Sequence, residues 1–151
     1  MDTKGKHVIV DYWGCDPDVL TNKDTIQRLM MEAALETGAT IVETVFHRFT
    51  PTGVSGVVVV AESHLSIHTW PDQGYASTDF YTCGECDPVK AHEFLRRAFR
   101  ASTFNLVEMS RGESPKKLLQ ITCQRHWEQQ TPPGTVLQPE GEKSWESPSA
   151  L

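Results

Sequence analysis

Alternating and apolar segments, separated by turn residues, predict a series of β-strands along most of the chain. Strands are expected at residues 7–13, 40–49, 54–61, 65–70, 75–83 and 104–109. Two segments show helical spacing instead. Residues 21–37 carry an apolar stripe and end before Gly38, a natural C-terminal stop. The second segment begins with Asp87 as N-cap and Pro88 in the first turn, and is predicted to extend to about Ala101.

The turns between the strands define the fold class. Residues 50–53 and 71–74 are too short for a crossover connection, so the strands they join must be antiparallel. We predict an α+β fold, a two-layer sandwich in which helices cover one face of a mainly antiparallel β-sheet. Within the segment 75–83, alternation puts Asp79 and Cys83 on the same face.

Composition and charge narrow the class of protein. The 151 residues are 38% hydrophobic and 23% charged, which suits one domain with a packed core. The formal net charge of -6 argues against a nucleic-acid binder and is compatible with a cationic ligand. Four cysteines are too few for a disulfide scaffold, and no segment is apolar enough for a signal peptide or a membrane span. We therefore expect a cytoplasmic protein.

The residues after Gly112 differ from the rest of the chain. The segment Gln129–Leu151 holds four of the nine prolines and few apolar residues. We predict one domain at residues 1–112 and a largely flexible C-terminal extension at residues 113–151.

The segment 62–71, with the sequence ESHLSIHTWP, places two histidines, two serines and a tryptophan beside an apolar VVVV run. Imidazoles and hydroxyls at such strand positions need hydrogen-bond partners, unless the polar face of the strand is simply exposed to water. Ser63 and His68 are five residues apart and fall on opposite faces of a straight strand. A bend in the chain is therefore needed to bring them together.

Five motifs carry a resemblance to a known family. They are ESHLSIHTWP followed by GYASTDFYTCG, the start MDTKGKHVI with WGCD, the strand GATIVETVFHRF, and the run PTGVSGVVVVAES. Together these motifs resemble the small bacterial S-adenosylmethionine decarboxylases over roughly Met1 to Gly112, which is more than a short motif would match by chance.

The resemblance implies a chain that cuts itself. The Ser63 hydroxyl would attack the carbonyl of Glu62, and the precursor would separate into a β chain of residues 1–62 and an α chain of residues 63–151. Ser63 would become a covalent pyruvoyl group, whose ketone forms a Schiff base with the substrate and supplies an electron sink that no ordinary side chain offers. The reaction implied is decarboxylation of S-adenosylmethionine to the aminopropyl donor for spermidine synthesis, with no metal.

The resemblance also assigns roles to individual residues. His68 would be the proton acceptor in processing, and Ser55 would assist the ester step. Cys83 would donate the proton that replaces the lost carboxylate.

Substrate contacts are expected at Phe49, Leu65, Trp70 and Asp72, although many relatives carry Glu where this chain has Asp72. Aromatic faces suit adenine and a sulfonium, and a carboxylate suits ribose hydroxyls. The family implies a homodimer of cleaved αβ protomers, with substrate sites at or near the subunit boundary.

Several alternatives remain open at this point. Homologues with the same pyruvoyl chemistry act on ornithine or arginine, and a non-enzymatic paralogue could bind and regulate a true decarboxylase, although an intact Ser63, His68 and Cys83 argues against the latter. The CxxC pair of Cys83 and Cys86 suggests a redox site, and Cys123 with His126 would complete a Cys3His zinc site.

Overall fold

A computed structural model of the chain describes residues 4–113 and 121–126. Their strands are β1 (Gly5–Trp13), β2 (Ile41–Arg48), β3 (Val54–Val60), β4 (Ser63–Trp70), β5 (Tyr75–Cys83), β6 (Thr103–Arg111) and β7 (Ile121–His126). Their α-helices are α1 (Pro17–Thr21), α2 (Lys23–Glu36) and α3 (Pro88–Ala98), and a 3-10 turn covers Pro71–Gln73.

The seven strands form a single sheet in the order β2-β3-β4-β5-β1-β6-β7, and every neighbouring pair is antiparallel. Helix α2 packs on β2 and β3, while α3 packs on β1 and β5. The predicted α+β sandwich, with helices over a mainly antiparallel sheet, is confirmed. The opposite face of the sheet, which we call the outer face, carries the polar side chains discussed below.

The core lies between the sheet and the helices. At the centre of the sheet, strand residues that point toward the helices are fully buried, among them Tyr12, Leu65 and Phe80. On α2, Ile26, Leu29, Met30, Ala33 and Ala34 are buried, as the helical spacing predicted. The alternation predicted along β4 is also present, because Leu65 and Ile67 are buried while His68 is exposed.

Two helix boundaries differ from those predicted. The segment 21–37 is not one helix, because the Asn22 side chain accepts a hydrogen bond from the Thr25 N–H at 2.9 Å and so starts α2 after the short helix α1. Helix α3 ends at Ala98 rather than near Ala101. Arg100 adopts a positive φ of 56° there, so an arginine fills the left-handed position that usually attracts glycine.

Strand β7 was not predicted. It lies within the extension 113–151 and pairs with β6, with Val107 opposite Cys123. The predicted flexible segment Gln129–Leu151 lies outside the described residues. In the described ranges, no helix has both the length and the apolar character that crossing a membrane requires.

Candidate active site

The peptide between Glu62 and Ser63 lies in the tight turn that joins β3 to β4. The Ala61 N–H donates to the Thr40 carbonyl at 2.8 Å, and the Glu62 carboxylate accepts from the Thr40 N–H at 3.0 Å. The Glu62 carbonyl oxygen accepts a hydrogen bond from the backbone N–H of Cys83 at 3.0 Å. Hydrogen bonds to Thr40 and to Cys83 therefore hold the turn in place. The Cys83 N–H also polarises the Glu62 carbonyl.

Ser63 has an unusual backbone conformation. Its φ is 150°, in a region that residues with a Cβ rarely adopt. Such a conformation costs about 1–3 kcal/mol and persists only where the surrounding structure imposes it. The anchored turn before Ser63 and the strand pairing after it supply that constraint.

The Ser63 hydroxyl contacts a hydrogen-bond network on the outer face. Ser63 Oγ lies 3.2 Å from His64 Nδ1, and His64 Nε2 lies 3.2 Å from Asp79 Oδ2. The same carboxylate oxygen lies 3.0 Å from His7 Nε2, and Ser66 Oγ donates to the other oxygen of Asp79. His7, His64 and Ser66 thus all contact the half-buried carboxylate of Asp79, and Ser63 contacts His64.

Cys83 ends β5 beside this network. A Cβ built on Gly5 would lie 3.1 Å from Cys83 Sγ and 2.7 Å from the carbonyl oxygen of Thr82, so only glycine lets β1 approach β5 this closely. Tyr81 lies next to the thiol, and burial followed by a hydrogen bond to Cys83 raises the pKa of Tyr81, which Arg111 partly opposes. The Arg111 guanidinium sits 4.2 Å from the centre of the Tyr81 ring.

A second group of predicted site residues lies at the other end of β4. Ser55 and His68 face each other across β3 and β4, and Ser55 Oγ lies 2.7 Å from His68 Nδ1. The His68 ring is 6.2 Å from that of Trp70. Trp70 and Phe49 are 40% and 49% exposed, and one face of Trp70 stacks on Tyr75 with the ring centres 5.0 Å apart. Asp72 follows in the 3-10 turn and is exposed.

Within one chain these residues form two groups. We call Glu62, Ser63, His64, Asp79 and Cys83 the Ser63 cluster, and Phe49, Ser55, His68, Trp70 and Asp72 the His68 cluster. Strand β4 pairs with β5 without a register shift from Ser63 to Trp70, so the bend expected between Ser63 and His68 is absent. At roughly 3.3 Å per residue, the five steps between them separate the two residues by about 16 Å.

Leu65 occupies a different position from the other predicted substrate contacts. Its side chain is fully buried in the core beneath the sheet, at 0% exposure. This figure covers the whole residue, and its backbone lies between β3 and β5, opposite Val58 and Phe80.

The cysteines carry no disulfide, since Cys15, Cys83, Cys86 and Cys123 are all free. Among the described residues, no three His, Cys, Asp or Glu side chains gather as a metal site. Burial, and then the charge of Glu62, raise the pKa of Cys86, which is the opposite of the lowered pKa that a reactive redox thiol needs.

Sequence reasoning did not select His7, His64 or Asp79. The sequence signal that could have pointed to Asp79 was its predicted position on the same strand face as Cys83. The network itself joins β1, β4 and β5, and the residues His7 and Asp79 are 72 positions apart, so their contact depends on a strand order that local patterns do not reveal.

Comparison with known proteins gives the family. A sequence model described as S-adenosylmethionine decarboxylase matches residues 6–112, and the chain belongs to this family. It is 48% identical over 120 residues to the S-adenosylmethionine decarboxylase proenzyme of Anoxybacillus flavithermus, covering 80% of this chain and 97% of that one. It is 52% identical over 113 residues to the proenzyme of Thermotoga maritima, covering 74% of this chain and 87% of the relative.

Solved structures agree with this assignment. The crystal structure of the adenosylmethionine decarboxylase from Aquifex aeolicus VF5 matches with a TM-score of 0.68 and 32% identity, covering 80% of this chain and all of that one. The Trypanosoma brucei AdoMetDC-delta26 monomer matches with a TM-score of 0.54 and 13% identity, which is a likeness of fold.

Cys15 and Cys123 should differ sharply in thiol reactivity. Burial raises the pKa of Cys15 to about 12, so at pH 8 only about one Cys15 in ten thousand is ionised, a fraction that rises tenfold with each unit of pH. Iodoacetamide at pH 8 should therefore alkylate exposed Cys123 and spare Cys15, as read by peptide mass spectrometry. Unfolding in guanidinium should expose both thiols. Equal labelling in the native protein would contradict this placement of Cys15.

Proposed function

We propose that this chain is an S-adenosylmethionine decarboxylase that cleaves itself between Glu62 and Ser63 and converts Ser63 into a covalent pyruvoyl group. The observation that carries the proposal is the geometry of the cleavage point. Ser63 is held at a φ of 150°, directly after a carbonyl that accepts from the Cys83 N–H at 3.0 Å. A hydroxyl one residue after a polarised carbonyl can close a five-membered ring onto it.

The residues around Ser63 fit the proposed cofactor. A pyruvoyl group supplies the electron sink that decarboxylation of an α-amino acid requires. It would form the first residue of the α chain, at the start of β4, where pairing with β5 holds it. Cys83 directly follows Thr82, the register partner of Ser63, which supports Cys83 as the residue whose thiol would hold the proton that the substrate carbon takes after CO2 departs.

The His68 cluster suits the remainder of S-adenosylmethionine. The exposed rings of Phe49 and Trp70 offer flat surfaces to adenine and aromatic faces to the sulfonium. Asp72 brings a carboxylate for the ribose hydroxyls, on a side chain one methylene shorter than the Glu of many relatives. A cytoplasmic location stays a prediction.

The separation of the two clusters supports a dimer. Each protomer carries the Ser63 cluster at one end of β4 and the His68 cluster about 16 Å away at the other end. A twofold axis can place the Ser63 cluster of one protomer against the His68 cluster of its partner, and this forms two complete sites. Exposed apolar residues on the strands, such as Val45 and Val59, are consistent with a surface that a second copy covers.

Processing and turnover test the proposal together. Cleavage before Ser63 should give fragments of 62 and 89 residues, since 151 − 62 = 89, seen as bands of about 7 and about 10 kDa at ~110 Da per residue. Ser63→Ala lacks the nucleophile and should remain a single band that releases no CO2. Purified wild-type protein should release CO2 from S-adenosylmethionine.

Ornithine and arginine serve as the comparison substrates in the same assay. Release of CO2 from either of them, and not from S-adenosylmethionine, would leave the proposed self-cleavage standing but contradict the proposed substrate. A fully active protein that stays at full length would overturn the proposal as a whole.

Cys83→Ala should separate turnover from processing. The substitution keeps the backbone N–H that holds the Glu62 carbonyl, so the chain should still cleave. Decarboxylation should fall on the order of 10²–10⁴-fold, because the proton donor is lost. Cys86→Ala is the matched control and should keep both activities. A Cys83→Ala protein with the normal rate of CO2 release would mean that another group donates the proton.

Co-expression of two inactive variants tests the shared site. His68→Ala alone should stall as intact chain or as an ester that hydroxylamine splits, because it lacks the base for elimination. In a mixed dimer, the Cys83→Ala chain still carries His68. The Ser63 cluster of the His68→Ala chain then lies against His68 of the partner subunit, so the His68→Ala chain should cleave. Random pairing makes half of the dimers mixed, each with one of two sites intact, so activity should recover to roughly a quarter of wild type. Absence of any recovery would mean that each site lies within one protomer.

A further inference from the structure

We propose that His64, oriented by Asp79, is the general base that activates the Ser63 hydroxyl in the first step of self-cleavage. The inference rests on the cleavage at Glu62–Ser63 proposed above. It adds to that function a catalytic residue, His64, and a positioning residue, Asp79, to which the sequence motifs assigned no role.

The first argument is the order of the contacts. Ser63 Oγ lies 3.2 Å from His64 Nδ1, and the opposite ring nitrogen, Nε2, lies 3.2 Å from Asp79 Oδ2. An ionised carboxylate only accepts hydrogen bonds, so it favours the tautomer of His64 that carries its proton on Nε2. That tautomer leaves Nδ1 free to accept from the serine. A nucleophile bonded to a base, which a third group orients, is the general pattern of an activated hydroxyl.

The second argument is that Asp79 is held in place. Its carboxylate accepts from His7 Nε2 at 3.0 Å and from the Ser66 hydroxyl as well as from His64. His7 is fixed in turn, because its Nδ1 lies 3.2 Å from the Arg111 guanidinium. Donors on β1 and on β4 therefore hold a carboxylate on β5, which lies between these two strands. This arrangement restrains the rotation of the His64 ring more than a single contact would.

The third argument concerns the other candidate base. His68 lies about 16 Å from Ser63 along β4 in the same chain, and its Nδ1 is engaged with Ser55 Oγ at 2.7 Å. In the proposed dimer, His68 of the partner subunit reaches Ser63 for the later removal of its α-proton. The two histidines thus act at different steps, His64 on the hydroxyl and His68 on the carbon.

The step balances with groups on this chain alone. The Ser63 hydroxyl proton moves to His64 Nδ1 as Oγ bonds to the Glu62 carbonyl carbon. The electron pair of the carbonyl moves to its oxygen, which the Cys83 N–H already contacts. The bond from that carbon to the Ser63 nitrogen then breaks, and the nitrogen takes the proton back from the His64 imidazolium. An amide and a hydroxyl become an ester and an amine, with no other reactant.

A time course of cleavage after cell-free synthesis of the full chain tests the proposal. The decisive variant is His64→Asn, whose side-chain oxygen can still accept from Ser63 but cannot take its proton. Cleavage of His64→Asn should slow on the order of 10²–10⁴-fold, and the surviving chain should resist hydroxylamine because no ester has formed. Asp79→Asn should slow the same step by a smaller factor. Asp11→Asn, a matched loss of one carboxylate on the outer face, should cleave like wild type.

Added imidazole separates a chemical role from a structural one. It should accelerate cleavage of His64→Ala and leave Ser63→Ala uncut. Three results would overturn the proposal: His64→Asn cleaving at the wild-type rate, its surviving chain splitting in hydroxylamine, or no response of His64→Ala to imidazole. Wild-type protein that never cuts at Glu62–Ser63 would instead overturn the proposed function, which keeps the two failures distinguishable.

Discussion

The hydrogen-bonded register between β4 and β5 is the constraint on which the site depends. It sets Ser63 opposite Thr82 and Ser66 opposite Asp79, and it brings the Cys83 N–H to the Glu62 carbonyl. A slip of one residue would turn every side chain of β4 to the other face and place Leu65 in water. The buried face of the strand therefore enforces the geometry of the exposed face, because the core tolerates only one register.

The two histidines of β4 differ in the partner that each one has. His64 contacts a carboxylate, which only accepts hydrogen bonds and so determines which ring nitrogen carries the proton. His68 contacts the Ser55 hydroxyl, which both donates and accepts and so permits either tautomer. A base with a fixed tautomer suits one defined proton transfer. A free tautomer, as in His68, suits a histidine that must meet a ligand or a second subunit.

Local patterns predicted most of the scaffold and little of the site. The bounds of β5 and the Asp87 cap of α3 followed from alternation and from N-cap preferences, since both depend on neighbouring residues. The break at Asn22 and the stop at Arg100 were missed, because one depends on a single side-chain bond and the other on an arginine in a glycine-like conformation. The roles of Ser63, His68 and Cys83 came from the family resemblance, while spacing alone led to a bend that the sheet does not contain.

The strand order gives the proposed cut after Glu62 a topological consequence. Strands β1 to β3 precede the cut and β4 to β7 follow it, yet β1 lies between β5 and β6. The two fragments would therefore interlock along three seams, β3 with β4, β5 with β1, and β1 with β6. Pulling them apart requires breaking all three ladders, so the nicked molecule remains one unit without a covalent link. A chain cut before β1 had paired with β5 and β6 would lack the tether that brings β1 to its place, so the proposed cleavage is expected to follow folding.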